Sequence, residues 1–208
     1  TGDLPRSYFL QQKDGKFIKK MLAFPVSGNI RRPANMGLLL FDADNDGDND
    51  LYCVSGSNEW PAQTTNYEDQ FFVNDGKGNF TIDTSALPTN YTSKSCIKAA
   101  DINNDGSLDL FIGGRVAPGN YPQPVSSFIY RNESKPGKIK FTDVTVFVAP
   151  CLKNLWLVCD ATWTDFDNDG WTDLIFVVEW MAPTFFKNKN DKLKNINEST
   201  GIQNKKRI

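Results

Sequence analysis

Short apolar runs flanked by Asp and Gly recur along the chain. They lie at 38–41, 51–54, 110–112 and 174–178 and are rich in branched and aromatic residues. Runs of this length and composition are typical of buried strands, because a helix needs a longer amphipathic stretch. None approaches the run of about 18 apolar residues that a membrane-spanning helix requires. The pattern therefore predicts an all-β protein with no membrane span.

A nine-residue polar segment with the pattern D-x-[DN]-x-D-G-x-x-D interrupts these runs at three places. The copies at 42–50, 101–109 and 165–173 align without gaps, and their starts are 59 and 64 residues apart. We call these segments the aspartate loops. A repeat of about 60 residues is long for a solenoid, but it fits a four-stranded β-propeller blade with extended loops.

A second repeated unit, a β-hairpin, follows each aspartate loop. Residues 71–80 show it most clearly, because two short apolar stretches flank an Asn-Asp-Gly turn. The segments 128–141 and 185–196 resemble it, and 8–17 is the same unit without a preceding loop. We therefore expect about three and a half four-stranded blades. Their approximate bounds are 1–34 for the partial blade and 35–95, 96–158 and 159–208 for the others.

A propeller closes with about four to eight blades, which is more than this chain supplies. We therefore expect the chain to be part of a larger propeller. The remaining blades would come from the rest of a longer chain or from another subunit.

The aspartate loops carry the chemistry of a calcium site. Oxygen-bearing side chains stand at positions 1, 3, 5 and 9, Gly at position 6 permits a sharp turn, and position 7 offers a backbone carbonyl. A divalent ion removes the repulsion between such crowded carboxylates, and magnesium fits less well because it demands a tight octahedron. We expect about three calcium ions. The predicted ligands are Asp42, Asp44, Asp46, Asp48 and Asp50, then Asp101, Asn103, Asp105, Ser107 and Asp109, and then Asp165, Asp167, Asp169, Trp171 and Asp173.

Two other interpretations of these loops compete with a strand-linking calcium site. An EF-hand fails because position 12 is Cys53, Ile112 or Phe176 rather than a bidentate Glu, and because the flanking runs are strands. Asx-rich turns without any metal are the remaining alternative. If calcium binds, the second loop is expected to be the weakest site, since Asn103 replaces one carboxylate.

Composition narrows the chemistry further. The chain has no histidine, which excludes histidine bases and nearly all catalytic zinc sites. Its net charge of −2 gives no electrostatic footprint for nucleic acid. Cys53, Cys96, Cys151 and Cys159 show no C-x-x-C spacing. Either Cys151 pairs with Cys159 in an oxidising compartment, or the cysteines are buried thiols.

The three aspartate loops and the Asn-Asp-Gly-Lys-Gly-Asn-Phe hairpin resemble the FG-GAP/VCBS-repeat propellers. The resemblance covers nearly the whole chain and is closest to bacterial secreted members found with ASPIC/UnbV modules. Integrin α-subunit propellers are more distant relatives. The resemblance implies a calcium-binding, commonly seven-bladed propeller that works in adhesion or as an extracellular binding platform. It implies no particular ligand.

Residues that follow the predicted post-loop strands are candidates for binding a protein or glycan at the propeller mouth. Exposed Trp, Arg and Glu suit such recognition. Packing and ion pairing between blades is the alternative role for the same side chains. The candidates are Glu59, Trp60, Arg115, Glu179 and Trp180.

Two classes of function are compatible with this reading. The first is an extracellular binding, adhesion or scaffolding module in which calcium is a structural ion. The second is a propeller-type polysaccharide lyase or glycosidase, which without histidine would need paired carboxylates or a set of Tyr, Arg and Lys side chains at the mouth. Glu59, Glu179, Arg115 and Tyr121 are the candidates for that chemistry. Because no catalytic constellation is readable, the binding module is the preferred prediction.

Overall fold

A computed structural model describes residues 7–22 and 34–201, and most of the regular structure in these residues is β-strand. One short helix, α1 (Thr145–Val148), and two 3-10 turns at Thr65–Tyr67 and Pro150–Leu152 interrupt the strands. The strands are β1 (Ser7–Gln11), β2 (Phe17–Met21), β3 (Ala34–Phe41), β4 (Asp50–Gly56), β5 (Gln70–Asn74), β6 (Phe80–Ile82), β7 (Ser93–Ala100), β8 (Asp109–Val116), β9 (Phe128–Asn132), β10 (Phe141–Asp143), β11 (Val158–Thr164), β12 (Asp173–Val178), β13 (Thr184–Asn188) and β14 (Leu193–Asn195).

The described strands form three four-stranded antiparallel sheets and one two-stranded hairpin. Each four-stranded sheet pairs its strands in chain order, and we call β3–β6, β7–β10 and β11–β14 the first, second and third blades. The hairpin β1–β2 is the half blade. The prediction of an all-β fold with about three and a half propeller-like blades is therefore confirmed.

Period-two alternation explains why the second strand of each blade is an unbroken apolar run. On β8, Leu110 and Ile112 pack into the core shared with the first blade, whereas Phe111 packs into the core shared with the third. Phe111 stacks on Phe176 of the third blade with ring centroids 5.8 Å apart. Both faces of the strand are thus covered, so both sets of side chains must be apolar.

The blades pack against one another in chain order. β7 contacts β3 and β4 of the first blade, and β11 contacts β7 and β8 of the second. The half blade lies against the outer hairpin of the first blade, where the Tyr8 ring packs edge-to-face on Phe80 at 5.2 Å. The Tyr8 hydroxyl also donates a 2.7 Å hydrogen bond to the Gly78 carbonyl. A half blade in this place is consistent with the outer part of a preceding propeller blade.

The predicted repeat bounds remain predictions at the ends of the chain. Most of the loop that would complete the partial blade 1–34, and the last residues of the segment 159–208, lie outside the described residues. Within the described part, the second and third blades begin at Ser93 and Val158.

Neither alternative for the cysteines holds for all four of them. Cys53 and Cys96 are buried thiols, as one alternative predicts. Cys151 and Cys159 are exposed, and within the described chain they do not form a disulfide with each other. The proposed Cys151–Cys159 pair is therefore absent from this structure.

Candidate metal centres

Each aspartate loop closes the turn between the first and second strands of its blade. The last residue of the first strand pairs with the Asp at position 9, as in the pairs Phe41–Asp50, Ala100–Asp109 and Thr164–Asp173. The prediction of a strand-to-strand turn, and not a loop between two helices, is therefore confirmed. All three loops lie at the same end of their blades.

The carboxylate at position 1 shapes each loop by accepting two backbone N–H groups. In the first loop, Asp42 accepts from Asp46 at 3.1 Å and from Gly47 at 2.9 Å. Asp101 and Asp165 make the same two bonds in the other loops. The residue at position 4, an Asn in every loop, and the Gly at position 6 have positive φ, which these two residue types tolerate best.

The carboxylate at position 9 is buried at the start of the second strand. Asp50, Asp109 and Asp173 each accept the backbone N–H of an Asn that ends the third strand, at 2.9, 2.7 and 2.7 Å. Burial raises the pKa of Asp50 to about 6 and that of Asp109 to about 7. Burial also raises the pKa of Asp173. These groups are held where ionisation is unfavourable unless a cation is close.

Two of the loops bring three carboxylates within reach of one ion. Oxygens of Asp42, Asp44 and Asp46 all lie within 4.8 Å of one another, and so do those of Asp165, Asp167 and Asp173. Among the described residues, the second loop forms no such group. Its position 3 is Asn103, whose amide nitrogen donates to Asp105 at 2.8 Å.

Several loop carboxylate oxygens are buried without a hydrogen-bond donor. In the part of the chain that the structure describes, Asp44 Oδ1, Asp48 Oδ1 and Asp109 Oδ2 have no such partner. A buried acceptor without a donor is costly, and a bound cation would satisfy it. The donor set of hard carboxylate oxygens thus fits calcium. Sequence reasoning assigned Asp48 through its backbone carbonyl, whereas here its side-chain oxygen is also a candidate.

In the described part of the chain, basic side chains form ion pairs with carboxylates of the second and third loops and with none of the first. Lys187 bonds to Asp167 and lies 3.0 Å from Asp169. In the second blade, the equivalent residue Arg131 places its Nε 3.4 Å from Asp109. The equivalent residue in the first blade is Val73. The first loop therefore concentrates the most uncompensated negative charge.

Asparagines that end the third strands of the second and third blades tie each of these blades to the aspartate loop of the preceding blade. The Asn132 amide donates to the Ala43 carbonyl, and the Asn188 amide donates to the Ile102 carbonyl, both at 2.8 Å. Sequence reasoning missed these residues. The signal was present, since Asn recurs at the end of the third strand as Asn74, Asn132 and Asn188.

Comparison with known families bears on the part of the chain that contains the first two loops. Residues 42–112 match the family model described as an FG-GAP-like repeat. This match confirms the family resemblance that the motifs carry. No curated protein matches the chain.

The matched residues run from the first aspartate loop into β8, so the matched segment comprises the later part of one blade and the start of the next. The third loop lies outside the matched residues. It has the same pattern, the same turn position and the same backbone hydrogen bonds as the two loops of the FG-GAP-like repeat.

The predicted ligand-binding residues lie at the opposite end of the blades, within the last residues of the second strands or just after them. Arg115 bonds to Glu179 across the second and third blades, and the Tyr121 hydroxyl donates to Glu179 at 3.0 Å. Trp180 packs on Tyr121 with ring centroids 5.5 Å apart. The ion pairing between blades that was the alternative role is therefore present for Arg115 and Glu179.

Glu59 and Trp60 lie on the β4–β5 loop of the first blade, at the same end. That loop is linked to the next one through Asn58, whose side-chain oxygen accepts the Gly119 N–H at 3.0 Å. The Trp60 backbone forms hydrogen bonds with the Tyr67 hydroxyl. Tyr121, which sequence reasoning named only for the enzyme alternative, is the residue that joins the ion pair to Trp180.

The electrostatics at this end do not favour acid catalysis by Glu179. Its hydrogen bonds to Arg115 and Tyr121 lower the pKa of the Glu179 carboxyl. A general acid of the glycosidase type needs a raised pKa.

Among residues 7–22 and 34–201, no helix has the length and apolar character of a membrane span.

Proposed function

We propose that this chain is an extracellular calcium-binding propeller module that acts in binding, adhesion or scaffolding. Calcium would be a structural ion in the three aspartate loops. The observation that carries the proposal is the group of three carboxylates in the first and third aspartate loops, together with buried carboxylate oxygens that lack donors in the first and second. The FG-GAP-like repeat supports the extracellular assignment through the resemblance.

A structural role for the ion follows from where the loops lie. The first loop also contacts the second blade, since the Gly137 N–H donates to Asp44 at 2.6 Å. An ion held by Asp42, Asp44 and Asp46 would therefore stabilise the contact between two blades as well as its own turn. Calcium accepts six to eight oxygens in flexible geometry, which suits loops whose carboxylates differ in number.

The first blade has an apolar face that supports further blades beyond the described residues. Met36, Leu38 and Leu40 alternate along β3 and are exposed on one side of the sheet. Contiguous exposed apolar residues of this kind mark a surface that is normally covered. We propose that other blades of a larger propeller cover it, from a longer chain or from another subunit.

Calcium titration of metal-stripped protein by calorimetry tests the proposal. We expect up to three ions to bind, with a rise in melting temperature because calcium binds the folded state preferentially. Asp46→Asn should weaken the first site by about tenfold, since ligand charge sets calcium affinity. Asp14→Asn, an exposed Asp in the β1–β2 turn, is the matched control and should change nothing.

Two results of this titration would contradict the proposal. If calcium neither binds nor raises the melting temperature, the loops are metal-free Asx turns. Equal responses to magnesium and calcium at equal concentration would contradict calcium as the specific ion.

A further inference from the structure

Two exposed aromatic rings meet at the end of the blades opposite to the aspartate loops. Tyr121 lies between β8 and β9, and Trp180 lies two residues after the end of β12. Their planes are inclined at 67°, in edge-to-face contact. Even so, 54% of Tyr121 and 61% of Trp180 remain exposed. Aromatic rings usually bury most of their surface, so this pair leaves apolar ring faces available to a ligand.

An ion pair that crosses two blades holds the aromatic pair in place. Glu179 accepts from Arg115 of β8 with one oxygen and from the Tyr121 hydroxyl with the other. Burial and the hydrogen bond to Glu179 raise the pKa of Tyr121, so its hydroxyl keeps its proton and donates. The carboxylate is thereby shared between a cation and a neutral donor, and its charge is compensated inside the cluster.

The backbone conformation of Trp180 is a second observation that points to a binding site. Its φ is +62°, in the left-handed region that bulky residues rarely adopt. Such conformations persist where the surroundings enforce them, and they concentrate at binding sites. Here the conformation places a large ring at the surface, next to Glu179 of the ion pair.

We propose that Tyr121 and Trp180 form a stacking platform for a neutral pyranose ring of an oligosaccharide. Arg115 and Glu179 are positioning residues in this proposal, which rests on the binding role proposed above. A sugar ring matches the site because its C–H face packs on aromatic carbon while its hydroxyls reach the polar rim.

The charge of Glu179 is compensated by Arg115, and this compensation favours some classes of ligand over others. A quaternary ammonium or methylated lysine also binds aromatic rings, but it gains most from an uncompensated carboxylate nearby. Arg115 removes that advantage. An anionic sugar would meet Glu179 without an unpaired cation. A neutral sugar needs neither charge, so it is the class that this cluster fits.

The test uses the 15N-labelled chain titrated with cellohexaose, mannohexaose and galactotetraose. The Trp180 indole signal is assigned with Trp180→Phe, and affinity is measured by calorimetry. We expect at least one of the three to shift that signal, and Trp180→Ala or Tyr121→Ala to weaken binding at least tenfold. Phe147→Ala, an exposed aromatic residue on α1, is the matched control and should bind as the parent does.

Three outcomes overturn the inference: none of the three sugars shifts the signal, only trigalacturonate or trimethyllysine does so, or Trp180→Ala binds like the parent chain. Glu179→Gln tests the positioning role, because it leaves Arg115 uncompensated. We expect the selectivity of that variant to move from the neutral sugar towards trigalacturonate. A uniform loss for all ligands would contradict the role.

Calcium titration of Trp180→Ala separates this inference from the proposed function. The platform and the aspartate loops lie at opposite ends of the blades, so the calcium response of this variant should equal that of the parent. Absent sugar binding with an intact calcium response overturns the platform alone. Sugar binding without any calcium response contradicts only the structural ion.

Discussion

Single side chains decide how much negative charge each aspartate loop offers to a cation. Lys187 already neutralises part of the third loop through Asp167 and Asp169, while Arg131 approaches Asp109 in the second. Val73 stands at this place in the first blade. Three loops with one sequence pattern should therefore bind calcium with different affinities, and these neighbouring residues add to the difference that Asn103 makes in the second loop.

Lys187→Met should tighten calcium binding at the third loop. The substitution removes an ammonium group that competes with the ion for two carboxylates, so we expect a gain of roughly two- to fivefold, typical of an exposed ion pair. The indole signal of Trp171, at position 7 of that loop, reports binding there in an NMR titration. Lys140→Met, which removes a pair with Glu133, is the control and should not change it. An unchanged or weaker third site would show that Lys187 does not compete.

At the scale of the strand, β7 carries both a buried and an exposed ion pair. Lys94 is buried and lies 3.0 Å from Asp69 on the β4–β5 loop of the first blade. Its ammonium also donates to the Tyr67 and Asn90 carbonyls. Four residues along the same strand, Lys98 pairs with Asp160 near the surface.

Lys94→Met should destabilise the fold far more than Lys98→Met. The first change leaves Asp69 buried without its cation, which costs about 3–5 kcal/mol. The second removes an exposed pair that contributes about 0–1 kcal/mol. Urea unfolding of both variants measures the difference. Adding Asp69→Asn to Lys94→Met should recover part of the loss, and equal effects of the two single changes would contradict the account.

Local sequence patterns predicted the strands and turns, but they did not predict the contacts between blades. Each aspartate loop or hairpin is a motif of about ten consecutive residues, so its turn and strands could be predicted from the sequence. Lys94 and Asp69 are 25 residues apart, and Asn132 bonds to Ala43 at a separation of 89. No periodicity encodes which polar side chain crosses to a neighbouring blade. For the same reason, the link of Tyr121 to Glu179 and Trp180 emerged only from the structure.

For the whole molecule, the loops make stability depend on pH and on calcium together. Burial raises the pKa of Asp50 to about 6 and that of Asp109 to about 7, from an ordinary value of 3.8. In the unfolded chain both groups ionise near pH 4. Between about pH 4 and 7 the metal-free folded state therefore holds protons that the unfolded state has released, and its stability falls as pH rises. The pKa of Asp75 is lowered to about 2, so this group changes the stability of the fold only below about pH 4, outside this window.

Calcium should abolish this loss, because the ion stabilises the ionised carboxylates that burial penalises. The melting temperature of metal-stripped protein is expected to fall by several degrees from pH 5 to pH 8, since a domain of this size loses about 2–4 °C per kcal/mol. With calcium at saturation it should stay nearly level, so the stabilisation by calcium grows with pH. Asp109→Asn should flatten part of the metal-free slope because it removes one titrating group. A metal-free melting temperature that rises across this range would mean that these carboxylates are already ionised and compensated without an ion.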